Sequence, residues 1–521
     1  MGLFFTTLFI FTAYVSPQIV FGALSLYHIE IVIAVVALVF SIFSAAGSGI
    51  FRMPQTYAIV GLSAAVALSI IFSGWLGGAP IALLEFLPNA MVFFFIVANV
   101  KKPVHLKILI AVLCGVALFI TYNGDHAIRH LDYVSPYIMG QRTGEADDRH
   151  WLIRIRGQSF LNDPNDLAQF MVGLIPCMFF LWRKRNIVFN FLVVILPVSG
   201  LVYGMYLSRS RGGMLALVLC AVVAGRKKIG TVPALVLAAI LLVGLSAAGF
   251  TGGRDVSVGD DRMAAWGEGL ILLRQHPIFG VGYGLFTNHY EITAHNSVVV
   301  CAAELGLFGL ISWLTLIIPT LRDAVESSEF RRAPKKVKAD EAGGLPGRRR
   351  AGVGATVEPV TISAYSPRTY SSLAYASGVV ATAGAEGILL REPIGRGKNR
   401  GDVAELPAVP VAAAGSYPLQ FIDPMADKGR PTEEEMRRLS GLVVLSVAAF
   451  LGAGWFLSRS YTMTLFVEMG IAGAVYRMAR DRGTGPAPWP LRQALKVSFL
   501  ASIGLIVFLY IFLRMRSLVG M

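Results

Sequence analysis

The chain has 521 residues, of which 55% are hydrophobic and only 15% charged, and its mean hydropathy is +0.63. No soluble fold of that length hides so much apolar side chain, whereas a bundle of membrane helices exposes it to lipid. Its formal net charge of +14 falls in local clusters that set orientation, and no nucleic-acid partner is expected.

The segment from Met1 to Leu24 has no Lys or Arg, and the first of either is Arg52. It lacks the basic start and small-residue cleavage site of a signal peptide and is read as a retained first helix. Apolar runs of roughly 20 residues match a ~30 Å hydrocarbon core. They predict spans near 3–24, 29–47, 57–74, 79–99, 106–121, 166–182, 187–207, 212–225, 231–249 and 296–320, then near 440–457, 461–477 and 494–513. The expected fold is all-α: a polytopic transmembrane helical bundle of about 12–13 spans. Cys114, Cys177, Cys220 and Cys301 all fall inside apolar runs, with neither disulfide nor metal-ligand spacing.

Lys101-Lys102, Arg183-Lys184-Arg185 and Arg226-Lys227-Lys228 occupy short turns between spans. The positive-inside rule makes each cytoplasmic and puts two long loops, about 122–165 and 250–295, on the opposite side. Neither loop contains a lysine, yet both contain arginines. That bias fits a planar fork kept to bind phosphate or carboxylate; it also fits a general loss of lysine from translocated loops. Three domains are expected: a membrane domain at 1–321 with its functional core at about 150–320, a cytoplasmic disordered insertion at 322–438, and C-terminal spans at 439–521. The side of the C-terminus stays open, because thirteen spans put it outside while Arg514 and Arg516 pull it the other way.

The candidate chemistry sits in the non-cytoplasmic loops. In 154–166, Pro164 and its Asn and Asp neighbours form a turn and a helix cap, so a helix N-terminus near Arg156 faces the loop, with Asn165 as a candidate substrate contact; an ordinary capped helix has the same pattern. Arg209 and Arg211 lie in the turn Ser208–Gly213. Arginines there cost on the order of 3 kcal/mol each if deep and stand on the side where basic residues are rare, which suggests phosphate binding; snorkelling is the alternative. From Asp261 to Arg274 the periodicity fits an interfacial amphipathic helix anchored by Trp266, with Arg262 near the headgroups. His295 and Asn296 open a span after Gly280, Gly282 and Gly284, where a histidine can titrate near neutrality and still reach a lipid-borne substrate. The pair His126 and His130 has i, i+4 spacing but no matched third ligand, so no metal site is expected.

These residues resemble the O-antigen ligase and O-antigen polymerase superfamily of bacterial integral-membrane enzymes. The likeness is carried by RGQSFLNDPNDLAQ at 156–169, SRSRGG at 208–213, DRMAAWGEGLILLRQHPIFGVGYGLF at 261–286 and AHNSVVVCAAELGLFGL at 294–310. The family's histidine-x10-glycine spacing is present from His295 to Gly306; its arginine-x3-leucine motif is not, since Trp266 follows Arg262 at that distance. The resemblance implies an enzyme of the bacterial inner membrane with its active site facing the periplasm. The donor would be an undecaprenyl-diphosphate-linked glycan and the acceptor a lipid A–core sugar or a glycan. His295 would be the general base, Arg211 and Arg262 would hold the diphosphate, and Arg156, Arg209, Asn165 and Asn296 would help bind the donor. Metal-independent, inverting transfer without a cofactor is implied, with a ligase favoured over a polymerase or a protein O-oligosaccharyltransferase. A small-anion transporter is the reading from another class. The few acidic residues within spans, Glu85, Glu304 and Glu468, and the lack of an internal repeat speak against it.

Overall fold

The computed structural model describes residues 1–20, 29–143, 150–247, 257–329, 432–457 and 460–519. Helices α1 (Gly2–Val15), α2 (Ile29–Ala45), α3 (Pro54–Phe72), α4 (Gly78–Asn99) and α5 (Pro103–Arg129) precede a β-hairpin, β1 (Ile138–Thr143) and β2 (His150–Ile155). There follow α6 (Pro164–Met178), α7 (Ile187–Leu207), α8 (Arg211–Ile229), α9 (Thr231–Ala247), α10 (Ser257–Gln275) and α11 (Ser297–Glu329). The last three are α12 (Glu433–Gly454), α13 (Met463–Asp481) and α14 (Leu491–Val519). Among the described residues, eight helices are long and apolar enough to cross a membrane, and shorter apolar helices occur at Gly2–Val15, Ile29–Ala45 and Val232–Leu241. This is a multi-pass, all-α membrane protein, as composition requires. The four cysteines are free and buried.

Polar contacts tie one end of the bundle together. Asn99, at the end of α4, donates to Thr6 (3.1 Å) near the start of α1 and to Ser41 (2.8 Å) near the end of α2. Gln55, at the start of α3, donates to Thr320 (3.3 Å) and Asp323 (3.2 Å) late in α11. Lys184 pairs with Glu434 at the start of α12 (2.8 Å). By chain alternation the three basic turns all lie at this end. The hairpin, α10 and the start of α11 lie at the other.

Two expectations change. The hairpin was not anticipated; it pairs Met139 with Arg154 and Gly140 with Ile153 in antiparallel register. The stretch assigned to the insertion begins and ends in helix, since α11 runs to Glu329 and α12 starts at Glu433; residues 330–431 of it lie outside those described.

The feature that positions everything near His295 is a break in α11. Gly306 has φ 64° and ψ −165°, which cuts off a half-helix, residues 297–305. A break inside a membrane span strands backbone groups, and each must find a partner. Here the loop after α10 supplies them. Val281 N–H donates to Ala303 O (2.9 Å) and Gly282 N–H to Glu304 O (3.0 Å), while Leu307 N–H donates to Pro277 O (2.9 Å) and Phe308 N–H to Ile278 O (3.1 Å). Such close backbone contact leaves no room for side chains. A Cβ on Gly306 would lie 2.4 Å from Ile278 O, and one on Gly280 (φ 71°) would lie 2.3 Å from Glu304 C.

Gly306→Ala and Gly280→Ala are therefore each expected to cost at least ~2 kcal/mol and to lower the melting temperature of the detergent-solubilised protein. Gly267→Ala, where nothing lies within 4 Å, is expected not to. Equal melting temperatures for all three would show that the backbone pairing is dispensable.

Candidate active site

His295 precedes α11 in left-handed backbone, with φ 47°. A non-glycine residue there costs on the order of 1 kcal/mol or more, so its neighbours must hold it. Three contacts do. Asn296 is fully buried and its Oδ1 accepts from the N–H groups of Val298 (2.9 Å) and Val299 (3.1 Å), capping the half-helix. The Trp266 indole N–H donates to Ala294 O at 2.7 Å. Ser297 donates to Leu457 O (2.8 Å) and its own carbonyl accepts from Ser460 (2.7 Å). The cap uses only the oxygen of Asn296; its buried Nδ2 has no hydrogen-bond partner.

Arg262 lies one turn before Trp266 on α10, which places it on the same side of that helix as the residue bonded beside His295. Its Nε is buried and has no partner. Burial holds the guanidinium below its ordinary pKa, the charge of Arg211 pushes it the same way, and Asp163 pulls it back. Arg211, Arg262 and Asp163 thus form one electrostatic cluster. Arg211 is the first residue of α8, whose cap, Ser210, accepts from Gly213 N–H at 3.3 Å. Asp163 caps α6 by accepting from Asn165 N–H at 2.7 Å. The two helix starts touch: a Cβ on Gly213 would lie 2.7 Å from that of Ala168. Gly454, ending α12, faces both Gln169 of α6 and Ser297 of α11. Three helix N-termini therefore gather at this end of the bundle, and the positive ends of their dipoles favour an anion.

A residue not picked out from sequence organises this side. Arg154 is 4% exposed. Its Nε donates to Ser208 O (2.8 Å), Nη1 to Gln141 (3.2 Å) and Nη2 to Asn165 Oδ1 (2.9 Å), joining the hairpin, the arginine turn and the start of α6. The alternation in HWLIRIR at 150–156 was the available signal: it marks a strand with Arg154 and Arg156 on one face. The other candidates are less central. Arg156 Nε donates to Pro136 O at 3.3 Å, and no described contact joins it to Arg211 or Arg262. Arg209 has φ 51° and its guanidinium lies 4.5 Å from the centre of the Tyr206 ring. Trp266, expected as an interfacial anchor, is 9% exposed; it packs edge-on against Trp455 at 6.2 Å, because its indole N–H is committed to Ala294. Gln158 is buried with neither amide atom partnered.

A cavity of about 380 Å³ opens beside the histidine loop. Thr293, Val300 and Glu304 line it from that side, Phe160 from the segment leading to Asp163, and Glu85 and Asn89 from α4. Glu468, by contrast, is packed in the bundle, where its carboxyl lies 2.7 Å from the Ser446 hydroxyl. The rings of His126 and His130 are tilted against each other with centres 4.2 Å apart. Among the described residues no group of three or more His, Cys, Asp or Glu could hold a metal ion.

Residues 196–314 match the O-antigen ligase family model. The matched stretch, well under half of the chain, carries the arginine turn, α8, α10, His295 and the Gly306 break, so the region that builds the site is of the O-antigen ligase superfamily. The O-antigen ligase region does not include the hairpin, Arg154 or the start of α6, which precede it. No curated protein and no solved structure matches the chain.

Within the O-antigen ligase region, Trp266→Phe keeps the ring but leaves the Ala294 carbonyl unpaired, at a cost of about 1–3 kcal/mol. The variant is expected to melt earlier and to exchange amide hydrogens faster at residues 293–300. Unchanged exchange there would mean that the indole does not hold the histidine loop.

Proposed function

We propose that the protein transfers a glycan from a polyprenyl-diphosphate donor to an acceptor hydroxyl at the outer face of a bacterial inner membrane, acting most simply as an O-antigen or polysaccharide ligase. One observation carries the reading. Arg211 and Arg262, delivered by two different helices, are held close enough to repel, and the Nε of Arg262 is buried without a partner. Like charges kept together at such a cost are relieved by an anion, and a diphosphate has the charge and the acceptor oxygens for both. The converging helix N-termini and the free Nδ2 of Asn296 add donors of the same kind. The three basic turns at the opposite end of the bundle support an outward-facing site by the positive-inside rule.

In this reading the acceptor hydroxyl gives its proton to the His295 imidazole as its oxygen attacks the anomeric carbon. The bond between that carbon and the diphosphate oxygen breaks, and the electron pair leaves on the diphosphate. Arg211 and Arg262 stabilise the charge that develops there. Attack opposite the leaving group inverts the configuration. Arg154 touches neither substrate; it positions the turn and Asn165. The cation–π contact of Arg209 with Tyr206 gives it a supporting place beside Arg211.

In proteoliposomes loaded with undecaprenyl-diphosphate glycan, His295→Ala is expected to slow transfer roughly 10²–10⁴-fold while leaving donor binding intact. Arg211→Ala and Arg262→Ala are expected to weaken binding of the diphosphate as well, and Arg209→Ala to do so less. Full transfer by His295→Ala would sink the reading. Deleting the gene is expected to strand long glycans on the lipid carrier; single repeat units there would instead identify a polymerase.

A further inference from the structure

We propose that the cavity beside His295 is the acceptor site and that it is built for an uncharged, hydroxyl-rich sugar, an inference that rests on the glycosyl-transfer reading above. Its position is the first argument. Its wall includes Thr293, two residues before His295, while Ala294 between them takes the Trp266 bond that leads back to Arg262. Along the chain the proposed base therefore follows directly on the residue bonded towards Arg262 and on a residue of the cavity wall, a placement that suits attack by a hydroxyl in the cavity on a carbon bound to diphosphate.

The lining is the second argument. Glu85 and Glu304, each about two turns inside its helix, both face the cavity with Asn89. Carboxylates at that depth are expensive against lipid, and they persist where they meet water or a polar ligand. Sugar hydroxyls are donors, so two carboxylates and an amide suit them, while the half-buried Tyr283 offers flat apolar surface for the C–H face of a ring. The volume lies within the roughly 300–1,000 Å³ range of small-ligand sites. Paired carboxylates disfavour a phosphorylated or acidic sugar by the same logic that makes the arginine cluster favour diphosphate.

Tyr461 adds a hydroxyl to the cavity wall. It is 8% exposed, and its hydroxyl, which makes no hydrogen bond of good geometry, lies within interaction range of Glu304 and Cys301. Glu304 Oε1 accepts from Phe286 N–H at 3.4 Å, so bracing the glycine-rich loop accounts for one carboxylate oxygen. It does not account for the presence of Glu85.

The test is a glycan array probed with the purified full-length protein, carrying uncharged, phosphorylated and uronic-acid oligosaccharides, with binding of a short-chain polyprenyl diphosphate measured separately. Uncharged glycans are expected to bind at least tenfold better than their phosphorylated counterparts. Tyr461→Phe, which keeps the ring and removes only the hydroxyl, is expected to weaken that binding about fivefold with little change in melting temperature, and Glu304→Gln to weaken it further. Both variants are expected to bind polyprenyl diphosphate as the unmodified protein does. Preference for anionic glycans, binding indifferent to Tyr461→Phe, or no uncharged glycan bound would each overturn the proposal. Failure of polyprenyl diphosphate to bind the unmodified protein, or its indifference to Arg211→Ala, would instead overturn the glycosyl-transfer reading beneath it.

Discussion

The structure depends on one constraint: a backbone group in a membrane cannot go without a partner. Breaking α11 at Gly306 frees carbonyls at Ala303 and Glu304 and N–H groups at Leu307 and Phe308, and the segment from Pro277 to Gly282 meets all four. Several consequences follow. The half-helix begins where His295 and Asn296 can cap it, the glycine-rich loop is held against it, and Glu304 is turned towards the cavity. The loop glycines serve this backbone contact, and no nucleotide is involved. The spacing of ten residues between His295 and Gly306 is therefore a length: it sets how many turns of helix separate the histidine from the break.

Charge is sorted across the same end of the bundle. Arginines from α8 and α10 meet at the starts of α6 and α8, while carboxylates from α4 and α11 meet at the cavity. Between them runs the short stretch from Thr293 to Asn296. A reaction that parts an anionic leaving group from a neutral acceptor is served by that separation, because each partner is drawn to its own side and repelled from the other. Arg154 makes this arrangement mechanically possible, since its three bonds fasten the hairpin to the turn that presents Arg211.

Much of this was legible in the chain. Hydropathy found the apolar helices because lipid demands length and apolarity of every span, but it missed ends that run on into polar residues, as where Pro103–Arg129 and Ser297–Glu329 outrun their apolar cores. The helix that starts at Pro164 was legible from its turn and cap residues, and Arg211, Arg262 and His295 stood out as candidates because they are polar residues where hydropathy alone would not put them. What escaped notice depends on long-range pairing. The hairpin is a short alternating stretch inside a polar loop, and only its partner strand makes it a sheet. Arg154 looked no different from Arg156 until the fold buried one and left the other at the rim. The break at Gly306 is hidden inside an unbroken apolar run, since a glycine there reads as an ordinary membrane residue until the backbone of Ile278 comes up against it.

The departure from the family's arginine-x3-leucine pattern now has a physical account. A leucine four residues after Arg262 would fill space against α11 and nothing more. Trp266 fills that space and also donates to Ala294, so α10 is bonded directly to the residue before His295. The distance from Arg262 to the histidine loop is then set by one turn of helix and one hydrogen bond. In the leucine pattern the same distance would rest on packing alone. The substitution therefore changes how the reacting groups are held without removing either, and it bears on rigidity of the site more than on which acceptor is used. Under the acceptor-site proposal, acceptor choice belongs instead to the cavity wall, where Glu85, Glu304 and Tyr461 stand.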